Sequence, residues 1–237
     1  MFGYERAGKH VTQIGSLPLT DVEEAVAYSL RHEIPFLPEL PLLGDSMLSY
    51  IKNPGQLSTL RAFKRHRYAT IKVQAIGPAT LILSGYGEDE ALLRIYRHIE
   101  AILDGLVAEE VILFLDEPAL GQVGFDFRRL WNLLFAGLPA VRGAHVCGNM
   151  QWDLLFSSEI DIVSFDASRY DITRYYPRNG KRIAWGISDP TQVRDLQPGD
   201  LVTPPCGLSP QAYGPQDLER VLDLLNRATR AVSAQDP

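Results

Sequence analysis

Two stretches hold the chain's two cysteines: Ala144-His145-Val146-Cys147-Gly148 and Pro205-Cys206-Gly207. If the first is a strand, positions i and i+2 face the same way. His145 and Cys147 then present an imidazole and a thiol to one side, and Cys206 adds a second thiol from far along the chain. Zinc takes ligands of both kinds in a tetrahedral shell. Taken singly, each residue has a plainer explanation. A lone cysteine is usually a small buried hydrophobe, and a lone histidine is usually a hydrogen-bonded core or surface group. Only the joint placement favours a metal.

The elements that must position these residues follow from the apolar pattern. Strands are expected at 11–14, 35–38, 69–76, 110–115, 140–147, 160–165, 182–187 and 201–204. Helical patterns occupy most of the connections: 20–32, a broken region over 45–66 interrupted at Asn53-Pro54-Gly55, then 88–108, 127–136, 151–158 and 216–234. The connection 168–181 is a poor helix, with Tyr175, Tyr176 and Pro177 inside it. Strands alternating with helices point to parallel β/α units, and eight of them predict a closed (β/α)8 TIM barrel in one domain over 1–237. Chemistry on such a barrel sits at the C-terminal ends of the strands. Ser16, Glu39, Asp116, His145, Cys147, Asp166 and Cys206 all fall at those ends. Buried carboxylates and thiols along one rim need partners, and a metal is the simplest. An aspartate at a strand end can also be a helix cap, which is the plainer reading of Asp166 and of Asp116-Glu117.

The bulk composition sets outer bounds. The 237 residues are 46% hydrophobic and 22% charged, ordinary for a globular protein. A formal charge of -6 without a basic block argues against nucleic acid as a partner. No apolar run approaches the roughly 18 residues of a membrane span. The opening MFGYERAGKH lacks the apolar core of a secretory signal. Two cysteines are too few for a disulfide framework, so reduced thiols in the cytoplasm are expected.

Five short motifs fall in order along these elements: Ile14-Gly15-Ser16, Gly77-Pro78-Ala79-Thr80, Leu115-Asp116-Glu117-Pro118-Ala119-Leu120, His145-Val146-Cys147 and Cys206-Gly207-Leu208. Together they resemble the catalytic domain of cobalamin-independent methionine synthase, in the manner of its short "core" relatives. That resemblance implies a TIM barrel whose zinc is held by His145, Cys147, Asp166 and Cys206, although the family normally has glutamate where Asp166 stands. It also implies a homocysteine pocket in which Ile14 and Ser16 hold the amino acid's backbone groups while Glu39 and Asp116 receive its ammonium.

The implied reaction is methylation of homocysteine to methionine. A free thiol with a pKa near 8.5 is mostly protonated at neutral pH, and binding to zinc removes its proton. The full-length family uses a methyltetrahydrofolate donor, with a histidine to protonate the leaving nitrogen and a tryptophan against the pterin. Those positions correspond here to Ser188 and Ser84. Loss of a general acid costs on the order of 10²–10⁴ in rate. A corrinoid leaves without a proton, so a methylcorrinoid donor such as methylcobalamin, carried by a corrinoid protein, fits these residues better. The other readings are a methyltetrahydrofolate-dependent enzyme, a methyltransferase for another thiol such as coenzyme M, and a non-catalytic barrel that binds zinc or a thiol. A uroporphyrinogen-decarboxylase-like enzyme would share the fold but has no need of His145, Cys147 and Cys206.

Overall fold

The computed structural model describes residues 10–148 and 151–233. Its centre is one all-parallel sheet of six strands in sequence order. They are β1 (Arg67–Ile76), β2 (Val107–Asp116), β3 (Val141–Val146), β4 (Ile162–Asp166), β5 (Arg182–Gly186) and β6 (Leu201–Thr203). The strands are nearly continuous apolar runs because both faces are covered. Ile71, Val73, Leu113, Leu115, Ala144, Val163 and Ile183 are all buried. The helices are α1 (Val22–Leu30), α2 (Met47–Lys52), α3 (Leu60–Phe63), α4 (Pro78–Leu83), α5 (Glu88–Leu103), α6 (Arg128–Phe135), α7 (Trp152–Phe156) and α8 (Asp217–Ser233). No helix among the described residues is long and apolar enough to cross a membrane.

The closed eight-stranded barrel is not what forms. The sheet is open and curled, and the first two expected strands are extended segments joined to it by isolated bridges. The segment over 10–17 meets β6 through Val11 opposite Val202, the segment over 34–39 meets β1 through Phe36 opposite Lys72, and Ser16 lies opposite Glu39. The physical reason is in the sequence. Pro35 and Pro38 have no N–H to give a ladder. Each run is also only a few residues long before a glycine or proline interrupts it.

The helices agree better with expectation. Asp21 caps α1 by accepting from the Glu24 amide at 2.9 Å, with Glu23 and Glu24 in the first turn. The region over 45–66 divides into α2 and α3 around Asn53-Pro54-Gly55. α4 is unforeseen: Pro78 occupies its first turn, where a missing N–H costs nothing. The two connections on either side of β5 carry only short 3₁₀ turns, Thr173–Tyr175 and Pro190–Gln192. Aromatic rings fill the first gap, with Phe156 stacked on Tyr175 at 4.2 Å and Trp152 against Tyr170 at 5.3 Å.

Candidate metal and thiol site

His145 is the last inward-facing residue of β3, directly opposite Ser164 of β4. Its Nδ1 lies 3.0 Å from the Ser164 hydroxyl, and its Nε2 is buried with no hydrogen-bond partner. A buried orphan nitrogen is costly unless something occupies it. Cys147 and Cys206 bring their sulfur atoms to that point, and the three ligand atoms lie within 4.8 Å of one another. Donors around a tetrahedral zinc sit about 3.5–4 Å apart, so a small closure of the trio would fit the ion. The Ser164 contact also does what outer partners of metal-bound histidines do, which is to fix the ring and its tautomer.

Cys206 is exposed and Cys147 partly so, which leaves the site open to solvent. The adjacent Cys147 thiol, then the His145 ring, holds the Cys206 pKa below the usual thiol range, and the nearness of Cys206 raises that of Cys147. Cys206 is held by its neighbour: Leu208 N–H donates to the Ser16 carbonyl at 2.8 Å, and a Cβ on Gly207 would lie 2.9 Å from that of Ser16. A side chain at position 207 would therefore push the thiol away from the histidine.

Around the trio lie the residues expected to bind an amino acid. Asp116 is aligned with His145 across β2 and β3, is buried, and has one carboxylate oxygen without a partner. Burial raises its pKa. Glu39 is buried as well, and desolvation followed by the nearby Asp116 charge pushes its carboxyl up to about 7. Ile14 is buried and Ser16 half-buried on the segment bridged to Glu39. Ser16 lies beside the trio, against Gly207 next to Cys206.

Asp166 is not brought into the converging group. It ends β4, but its Oδ1 accepts from the Ser168 amide at 2.9 Å and the Ser168 hydroxyl at 2.6 Å. The structure thus gathers three of the four expected ligands, with the carboxylate turned toward its own loop. Glu117, beside Asp116 in the chain, faces the other way. It accepts from the Ala79 and Thr80 amides, the Thr80 hydroxyl and Trp131 Nε1, and so caps α4 and ties it to α6. Ser84 closes α4 by donating to the Thr80 carbonyl at 2.9 Å. The Ser188 amide donates to Gln192 Oε1 at 2.7 Å in an exposed turn.

Sequence reading missed Lys72, Gln74, Ser164 and Tyr50. Lys72 and Gln74 alternate with Ile71, Val73 and Ala75 in β1, and a lysine inside so apolar a run was the available signal. Ser164 could have been found only by aligning β3 with β4. No protein-family model and no curated protein sequence matches the chain.

Proposed function

We propose that the chain is a zinc-dependent thiol methyltransferase, with homocysteine as acceptor and a methylcorrinoid, carried by a corrinoid protein, as donor. The observation that carries this reading is the convergence of a His145 ring nitrogen with the Cys147 and Cys206 sulfurs at an open position. Three protein ligands with a vacant fourth place is the pattern of catalytic rather than structural zinc. Bound there, zinc would lower the pKa of an incoming thiol so that it reacts as thiolate. Two cysteine sulfurs in the shell keep it electron-rich, which preserves the nucleophilicity of the acceptor sulfur.

The rest is positioning. Glu39 and Asp116 offer carboxylates to the ammonium, and the Ser16 hydroxyl offers a donor to the carboxylate of the same molecule. Held at both ends, the amino acid directs its thiol to the trio, and this orientation supplies much of the rate gain available to a two-substrate reaction. The acceptor sulfur's lone pair forms the S–CH3 bond, while the methyl–cobalt bond breaks and its electron pair stays on cobalt. No proton is needed by that leaving group, which matches Ser188 standing where the resembled family has its proton-donating histidine. Thiol ligands of this kind call for a reducing compartment such as the cytoplasm.

The test is methionine formation from homocysteine by protein of measured zinc content, with methylcobalamin and methyltetrahydrofolate supplied separately. Turnover with methylcobalamin alone is expected. Turnover with methyltetrahydrofolate alone would overturn the donor assignment, and a lack of turnover with both would overturn the activity.

A further inference from the structure

Beneath the amino-acid pocket runs a polar chain that the reaction does not directly use. Lys72 is fully buried, with its ammonium 4.7 Å from the centroid of the Phe114 ring. Phe114 occupies the space left by Gly143, where a Cβ would lie 2.1 Å from the ring. Lys72 Nζ donates to Gln74 Oε1 at 2.6 Å, and Gln74 Nε2 donates to Glu39 Oε1 at 2.9 Å. The chain is built tightly. A Cβ on Gly15 would fall 1.5 Å from Gln74 Nε2, so only glycine leaves room for the amide. Tyr50 sets a buried hydroxyl beside the same carboxylate.

We infer that Lys72 and Gln74 are positioning residues that aim Glu39 at a ligand ammonium, so that the site selects amino-acid thiols over thiols lacking an amine. This rests on the thiol-activating reading above. The argument turns on the polarity of the amide. An ammonium can only donate, so the end of Gln74 that meets Lys72 must be its oxygen. The NH2 end is then forced toward Glu39, which must act as an acceptor there. Without Lys72 the amide is free to turn its oxygen toward the carboxylate and push it out of line.

Charge arithmetic points the same way. Two carboxyl groups, Glu39 and Asp116, face the single ammonium of Lys72, leaving one acidic group without a cation. A ligand ammonium compensates it, whereas a mercaptoalkanesulfonate brings nothing to meet it. Charge-assisted hydrogen bonds contribute about 1.5–3 kcal/mol, so an ammonium met by a well-aimed carboxylate should be favoured by roughly 10- to 100-fold.

The experiment uses full-length protein loaded with cobalt(II) in place of zinc, in which thiol binding is read from sulfur-to-cobalt charge-transfer absorption. Dissociation constants are compared for homocysteine, its amine-free analogue 4-mercaptobutyrate, and 2-mercaptoethanesulfonate. The unmodified protein should bind homocysteine at least tenfold more tightly than either. In Gln74→Leu and Lys72→Met that preference should fall at least tenfold, with 4-mercaptobutyrate binding changed less than threefold. Lys72→Arg, which keeps a donor-only cation, should retain more of the preference than Lys72→Met. The cobalt ligand-field bands report that each variant still holds its metal site. Thiol binding without preference, or an unchanged preference in both Gln74→Leu and Lys72→Met, would overturn the inference and leave thiol activation standing. No thiol response in the unmodified protein would overturn thiol activation and this inference together.

Discussion

A single hydroxyl decides what His145 can do. With Ser164 on Nδ1, the imidazole has only its unpartnered Nε2 left to offer, and the ring lies beside the two sulfurs. Asp166 shows the opposite outcome, because Ser168 two residues later captures its carboxylate in a local turn. The ligand set can therefore be told apart by metal analysis. Cys206→Ala and His145→Ala should each lose most of the zinc on dialysis against a weak chelator. Asp166→Asn should keep close to one equivalent, with affinity weakened less than tenfold; zinc loss equal to that of Cys206→Ala would place the carboxylate among the ligands. The trio was legible because an i, i+2 pair on a strand has only one geometry. Asp166 was not, since Asp-Ala-Ser at a strand end suits a turn as well as a ligand, and sequence position alone cannot choose. Lys72 and Gln74 escaped notice because their partners, Glu39 and Gly15, lie on segments far away in sequence.

At the level of elements, the end of β2 divides two adjacent carboxylates between two tasks. Asp116 turns inward beside His145, while Glu117 turns outward to receive four donors from α4 and α6. Removing Glu117 strands the buried indole N–H of Trp131 and the Thr80 hydroxyl, and leaves the first turn of α4 uncapped. Glu117→Ala should lower unfolding free energy by about 3 kcal/mol or more, measured by urea denaturation, while the folded fraction still binds one metal equivalent. A loss under about 1 kcal/mol would show that water replaces the carboxylate. The Asp116-Glu117 pair was visible in sequence as a helix-capping candidate, but the helix it caps precedes it in the chain. α4 itself was hidden by Gly77-Pro78, which reads equally well as the end of a strand.

For the molecule as a whole, six of the eight expected strands form at nearly the expected places, because long apolar runs between helical patterns leave little choice. The other two expectations failed where prolines and a glycine deny the backbone a regular ladder. That irregular seam carries Ile14, Ser16 and Glu39, whereas His145 sits on a ladder-bonded strand. Bound homocysteine should therefore slow amide exchange of Leu17 and Glu39, whose N–H groups bond to Glu39 and Gly15 carbonyls, by more than it slows exchange within β3. Equal protection in both places would mean that the seam is as firm as the sheet. The seam also has a place in time. Strands β1 to β6 each pair with the next in sequence, and such local joints close quickly. Val11 meets Val202 only after nearly the whole chain lies between them. Both parts of the proposed site are accordingly assembled late, since the seam waits for β6 and the trio waits for Cys206 just beyond it.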